Sequence, residues 1–313
     1  MSIVVRPSDS EVLRLRQSAS AMGSTFSIAL YGRDRDRMET TVQAAFDEVR
    51  RLDGVLSNYR PESEWSLVNR RAAHQPVAVS PELFRLLSAC LEQSHRTEGA
   101  FDITVGPLKR AWGLHRGTGS VPTAGELAAA RRHVGRQYVQ LDAEGQTVRL
   151  DHPGVELDPG GIGKGYGVDR MVEILRRHGF DTALVAGSRS SIYGLGTPPA
   201  GVRGWRADIR DPEHPGTCVA DVFLRDTSLS TSGTGEKCFW SDGNMYSHIL
   251  DPRTGQPLQS IAQVSVAAPS ALDGEVWAKA CLLNGPRWAA ENKPDAFRIL
   301  FCGPDPAKRP TWL

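Results

Sequence analysis

The 313-residue sequence predicts an α+β fold: a mixed, largely antiparallel sheet with packed helices. Two observations carry this. Amphipathic helical stretches and short alternating strands both occur, but they do not alternate as regular βαβ units. Residues 183–267 are mostly short strands punctuated by Gly and Pro turns, the pattern of an antiparallel sheet.

Residues 1–20 read as a polar lead-in, and residues 21–313 as one domain. Ser24 to Tyr31 alternates in part and suits a strand. Met38, Val42, Ala45, Phe46, Val49, Leu52 and Leu56 recur at helical spacing, which predicts a helix over about 36–56. Ser80-Pro81-Glu82 is a helix start, with Ser as N-cap and Pro in the first turn. Thr123 and Glu126 make a capping box for a short Ala-rich helix. Tyr138–Leu141 and Thr147–Leu150 form a hairpin around Glu144-Gly145. A helix over about 168–175 closes at Gly179, and a last helix covers 272–284.

Apolar residues make up 40% and charged residues 23%, as in ordinary globular domains. Lys and Arg number 37 against 36 Asp and Glu, a net charge of +1, which argues against a nucleic-acid partner. No apolar run reaches the length of a transmembrane segment. The start carries no signal-peptide core, so the chain as written reads as cytoplasmic; removal of a leader would make it periplasmic or membrane-anchored. The five cysteines are widely spaced without a CxxC pair, which fits neither a disulfide framework nor a zinc site.

Three segments point to chemistry. In 157–169, five glycines precede a helix, where bare backbone and free N–H groups suit phosphate, and Lys164 adds a cation. Neither the P-loop pattern nor GxGxxG is matched. The alternative is a turn that only tightens helix packing. In 99–108, Asp102 sits among apolar residues, so it either holds a ligand or caps local backbone. Finally, His248 lies three residues before Asp251 in a polar turn, an arrangement suited to general-base work or to a purely structural role.

Taken in order, these segments resemble the ApbE family of FAD:protein FMN transferases, with its ApbE-like (T-fold-like) architecture. The likeness rests on Ala21-Met-Gly-Ser-Thr25, Ser57-Asn-Tyr-Arg-Pro-Glu-Ser63, residues 99–105, residues 158–166, Thr231-Ser-Gly233 and residues 248–255, and spans about 20–300. It implies that FAD is split into AMP and an FMN unit, with Mg2+, and that FMN is joined by a phosphoester bond to a Thr or Ser hydroxyl of an acceptor protein. It further implies that Met22, Tyr59, Ala100, Phe101, Asp102, Asp158, Lys164 and Ile249 line the FAD site. His248 would take the acceptor's proton, and the Gly161 region would lie beside the metal.

The sequence departs from that pattern at two places. Val185–Ser191 lacks the usual Gly-Gly with Asp or Asn. Where the family has Asp-Ala-x-x-Thr-Ala, with Asp and Thr oxygens on the metal, this chain has Glu275-Val-Trp-Ala-Lys279-Ala280. An ammonium has no lone pair to offer magnesium. Either Asp273 or Glu275 holds Mg2+, or the Lys279 charge replaces part of it, or the protein binds FAD without transferring it. Lys279 as an ordinary surface residue, and hydrolysis of FAD or another nucleotide pyrophosphate, complete the alternatives.

Overall fold

The computed structural model describes residues 12–199, 203–214, 216–235, 237–303 and 310–313. The strands are β1 (Leu13–Ala21), β2 (Ser24–Gly32), β3 (Val77–Ala78), β4 (Val139–Asp142), β5 (Thr147–Leu150), β6 (Ala183–Gly187), β7 (Ser191–Leu195), β8 (Trp205–Arg210), β9 (Cys218–Leu224), β10 (Thr227–Gly233), β11 (Cys238–Ser241), β12 (Asn244–Ser247), β13 (Gln263–Ala268), β14 (Arg298–Cys302) and β15 (Thr311–Trp312). The α-helices are α1 (Arg35–Leu56), α2 (Glu64–Arg71), α3 (Pro81–Arg96), α4 (Gly106–Ala111), α5 (Ala124–Arg131), α6 (Gly163–Arg177) and α7 (Ala271–Asn292).

Eight strands form the main sheet in the order β1-β2-β6-β7-β10-β13-β14-β15. Every neighbouring pair in it is antiparallel. One face of its β1–β7 half carries α1 and α6, through Phe26, Ile28, Leu30, Phe46, Val168, Met171 and Val185. Beyond it, α7 joins α2, α3 and the β3–β5–β4 sheet in a second core around Trp65, Leu87, Leu150 and Trp277. The opposite sheet face is covered by the β8–β9 hairpin, with Trp205, Ile209 and Leu224 against Leu229 and Leu300. Helix α7 sits close on β10 because the facing residues are small: Ser228 and Ser230 donate to backbone carbonyls at Ala268, Ser270 and Ala271.

Most predicted elements form where sequence placed them. The α1 stripe is buried in full. Ser80 Oγ accepts the Leu83 N–H, and the Thr123–Glu126 capping box is complete. Three of the five cysteines are buried, and all are free. Three boundaries differ. Residues 13–20 of the supposed lead-in form β1, which pairs along its whole length with β2; its polarity reflects a face open to solvent. Residues 1–11 lie outside the described part. Helix α6 begins at Gly163, before its apolar stripe, since close packing on α7 outweighs the low helix propensity of glycine. Helix α7 breaks as predicted after residue 284, at Gly285 with φ +83°, then runs on from Pro286 to Asn292.

Gly165 is the tightest point between α6 and α7, because an added Cβ would lie 2.4 Å from the Ala271 carbonyl oxygen. Gly165→Ala is expected to cost about 1–3 kcal/mol. Gly54, near the end of α1, has nothing within 4 Å of that position, and Gly54→Ala should gain about 0.5–1 kcal/mol. Denaturant midpoints that moved together would refute this contrast.

Candidate functional site

The glycine-rich turn is held from below. Asp158 Oδ1 accepts the Gly160 N–H at 2.9 Å, and both carboxylate oxygens lie 2.8 Å from Lys109 Nζ. Lys109, on α4, was not singled out from sequence. Asn58 Nδ2 also reaches Asp158, at 3.4 Å, which ties the 57–63 turn to this floor. Tyr59 in that turn is 83% exposed, so its ring is free to meet a planar ligand. Met22, at the β1–β2 turn, lies over the start of α6: its Sδ would be 3.7 Å from a Cβ on Gly163. Ala100, Phe101 and Ile249 are buried, so their side chains serve packing.

The first turn of α6 faces α7 across a buried carboxylate. Glu275 Oε1 accepts from Lys164 Nζ at 3.0 Å, and Oε2 accepts the Gly165 N–H at 2.7 Å. Burial pushes the Glu275 carboxyl up, but Lys279, Lys164 and the Gly165 N–H together outweigh it and hold the pKa below the ordinary value. Lys279 is not a surface residue. Its Nζ lies 3.0 Å from the Gly161 carbonyl oxygen, 3.2 Å from the Glu275 carbonyl oxygen and 3.4 Å from Glu275 Oε1. Burial lowers the Lys279 pKa and Glu275 partly restores it. Three oxygen acceptors around one nitrogen match three N–H donors, which only the ammonium form supplies.

Asp273 does not join this cluster. Residues 273 and 275 are about 200° apart around a helix. Asp273 Oδ1 therefore faces α3 and accepts from Gln93 Nε2 at 2.7 Å, while Gln93 Oε1 takes the Trp277 indole N–H. The residues present do not fit Mg2+. Lys279 already occupies the Gly161 and Glu275 oxygens. A divalent ion about 4 Å from that ammonium would meet repulsion on the order of 8 kcal/mol at an effective dielectric of about 20. Among the described residues, the one group of three His, Cys, Asp or Glu side chains with converging ligand atoms is exposed Asp208, Cys218 and Asp221, on the β8–β9 hairpin.

His248 does not pair with Asp251. Asp251 grips Arg253 through its N, Nε and Nη2, at 2.9, 2.9 and 2.8 Å, because the tight 251–255 turn brings that guanidinium back. The ring partner of His248 is instead the Lys237 carbonyl oxygen, 2.9 Å from Nδ1, which also accepts the His248 backbone N–H at 3.0 Å. The Asp242-Gly243 turn sets this register: Ser241 pairs with Asn244, so Lys237 falls opposite His248. Both turn residues have positive φ, +49° and +78°, as a two-residue hairpin turn requires. Since a carbonyl only accepts, Nδ1 carries the proton and Nε2 keeps its lone pair. Burial, with the positive charges of Lys279, Lys237 and Lys164, pushes the pKa down to about 4, against the Lys237 hydrogen bond.

Asp102 resolves toward local structure. Oδ1 accepts from Thr104 N at 2.8 Å and Thr104 Oγ1 at 2.6 Å, and Oδ2 from Arg136 N at 2.9 Å and Ser94 Oγ at 3.2 Å. It nevertheless lines an open cavity of about 490 Å³, beside Gly99, Arg136 and Arg253.

The ApbE family profile matches residues 22–298, most of the chain. The chain belongs to the ApbE family. Among ApbE relatives, the FAD:protein FMN transferase of Klebsiella pneumoniae (strain 342) is 33% identical over 261 residues, covering 83% of this chain and 79% of its own. That of Treponema pallidum (strain Nichols) is 33% identical over 293 residues, covering 87% and 80%. The solved flavin transferase ApbE from Vibrio cholerae superposes with a TM-score of 0.81 at 27% identity, covering 97% of both chains.

The His248 geometry has a direct readout. Ring NMR should show the Nδ1–H tautomer and a midpoint near pH 4. Lys279→Met should move that midpoint up toward the ordinary histidine value, because a neighbouring cation is removed. A wild-type midpoint near 6.5 would contradict the assignment.

Proposed function

We propose that this ApbE-family protein transfers FMN from FAD to a Thr or Ser hydroxyl of an acceptor protein, releasing AMP. What supports the reading most is His248: a neutral imidazole with its free Nε2 set by Lys237, in the field of Lys164 and Lys279. The acceptor hydroxyl gives its proton to Nε2, and its oxygen bonds to the flavin-side phosphorus. The bond from that phosphorus to the bridging oxygen breaks, and its electron pair leaves on AMP. Such transfers need positioning and charge stabilisation more than covalent help. In this reading Met22, Tyr59, Asp158 and the 158–166 backbone hold FAD.

The test is mass spectrometry of a Thr/Ser-bearing acceptor domain incubated with enzyme and FAD, with AMP measured in parallel. One FMN should be added per AMP formed, and His248→Asn should slow this by about 10²–10⁴-fold. AMP without labelled acceptor would make the protein a hydrolase, and unchanged FAD would make it a binding protein.

The pH dependence follows from the same group. The acid limb of kcat/KM reports the free enzyme. His248, neutral above its lowered pKa, should hold activity down to near pH 4. Bound pyrophosphate offsets the lysine charges, so the acid limb of kcat should lie at higher pH than that of kcat/KM. Coincident limbs near 6.5 would remove His248 as the base.

A further inference from the structure

The lysine within the site occupies what is, by its chemistry, a cation-binding cage. The Gly161 carbonyl, the Glu275 carbonyl and a Glu275 carboxylate oxygen converge on one point, and that point is Lys279 Nζ. Such oxygen sets suit a hard cation. Here the cation is covalently attached, one helical turn along α7 from its own carboxylate. A Cβ on Gly161 would lie 3.8 Å from Lys279 Cε and 3.3 Å from Phe101 Cε2, so the lysine stem packs against the glycine turn.

We propose that Lys279 is a built-in cation that takes the place of a divalent metal at this position, so that FAD binding and FMN transfer proceed without one. This rests on the FMN-transfer reading above. Lys279 brings a second ammonium to the carboxylate that Lys164 already holds, so its positive charge sits beside the glycine turn. That charge reaches the reacting space, since Lys279 is among the groups that depress the His248 pKa. During transfer the proton moves from the acceptor hydroxyl to His248, the new bond forms at phosphorus, and the electron pair leaves on AMP. Lys279 stabilises the charge on the pyrophosphate without exchanging a proton or a ligand.

The experiment uses the full chain after chelator treatment. Mn2+ binding is followed by electron paramagnetic resonance, FAD binding by flavin fluorescence, and transfer by acceptor mass. The wild type should bind FAD and transfer FMN in excess EDTA, with no stoichiometric Mn2+. Lys279→Met should bind FAD about 10- to 100-fold more weakly in EDTA. Lys279→Thr, which empties the cage and adds an oxygen donor, should acquire Mn2+ binding that Lys279→Thr/Glu275→Gln loses; circular dichroism checks that each variant folds. Stoichiometric Mn2+ in the wild type, or loss of its FAD binding on chelation, would overturn the proposal. Metal-free FAD binding that depends on Lys279, with no transfer under any condition, would support the built-in cation and overturn only the transferase reading.

Discussion

The buried Glu275 carboxylate is the interaction on which the rest of the site depends. A carboxylate taken out of water is costly unless each oxygen finds a donor. Here Lys164 and Lys279 serve one oxygen and the Gly165 N–H serves the other. The third donor is backbone, so α6 must approach α7 closely, and only a residue without a side chain permits it. Glycine at 165 and the position of both lysines follow from that contact.

The electrostatics of the site are local and do not appear in bulk composition. Basic residues outnumber acidic ones by one, 37 against 36. Yet two ammoniums converge on one carboxylate at the start of α6, with Lys109 on Asp158 close by. Burial first, and then the charges of Lys279, Lys237 and Lys164, keep His248 neutral, so the lysines of the site add to an effect that the packing around the ring begins.

Much of the fold was legible because it is written in local rules. Helical spacing marked α1, and side-chain caps marked α3 and α5. The site was legible by segment but not by partner. The His248–Asp251 spacing suggested a pair, whereas Asp251 had a bidentate competitor two residues away in Arg253. Asp273 looked like a substitute ligand, though helix geometry alone places it opposite Glu275. Lys109 lies 49 residues from Asp158 and no short-range pattern connects them. Lys237 acts through its carbonyl, which carries no side-chain signature. Its one signal was the Asp-Gly turn that fixes the hairpin register.

That hairpin separates what can drift from what cannot. The partner of His248 is a main-chain atom, so the hydrogen bond itself does not depend on the side chain at residue 237, whose exposed ammonium adds only to the charge that lowers the His248 pKa. The number of residues between 237 and 248 is fixed instead. Insertion or deletion of one residue would slide every cross-strand pair and present His248 with a different neighbour. Selection on this half of the site would act on spacing, and a comparison of homologues should find gaps excluded there even where letters vary.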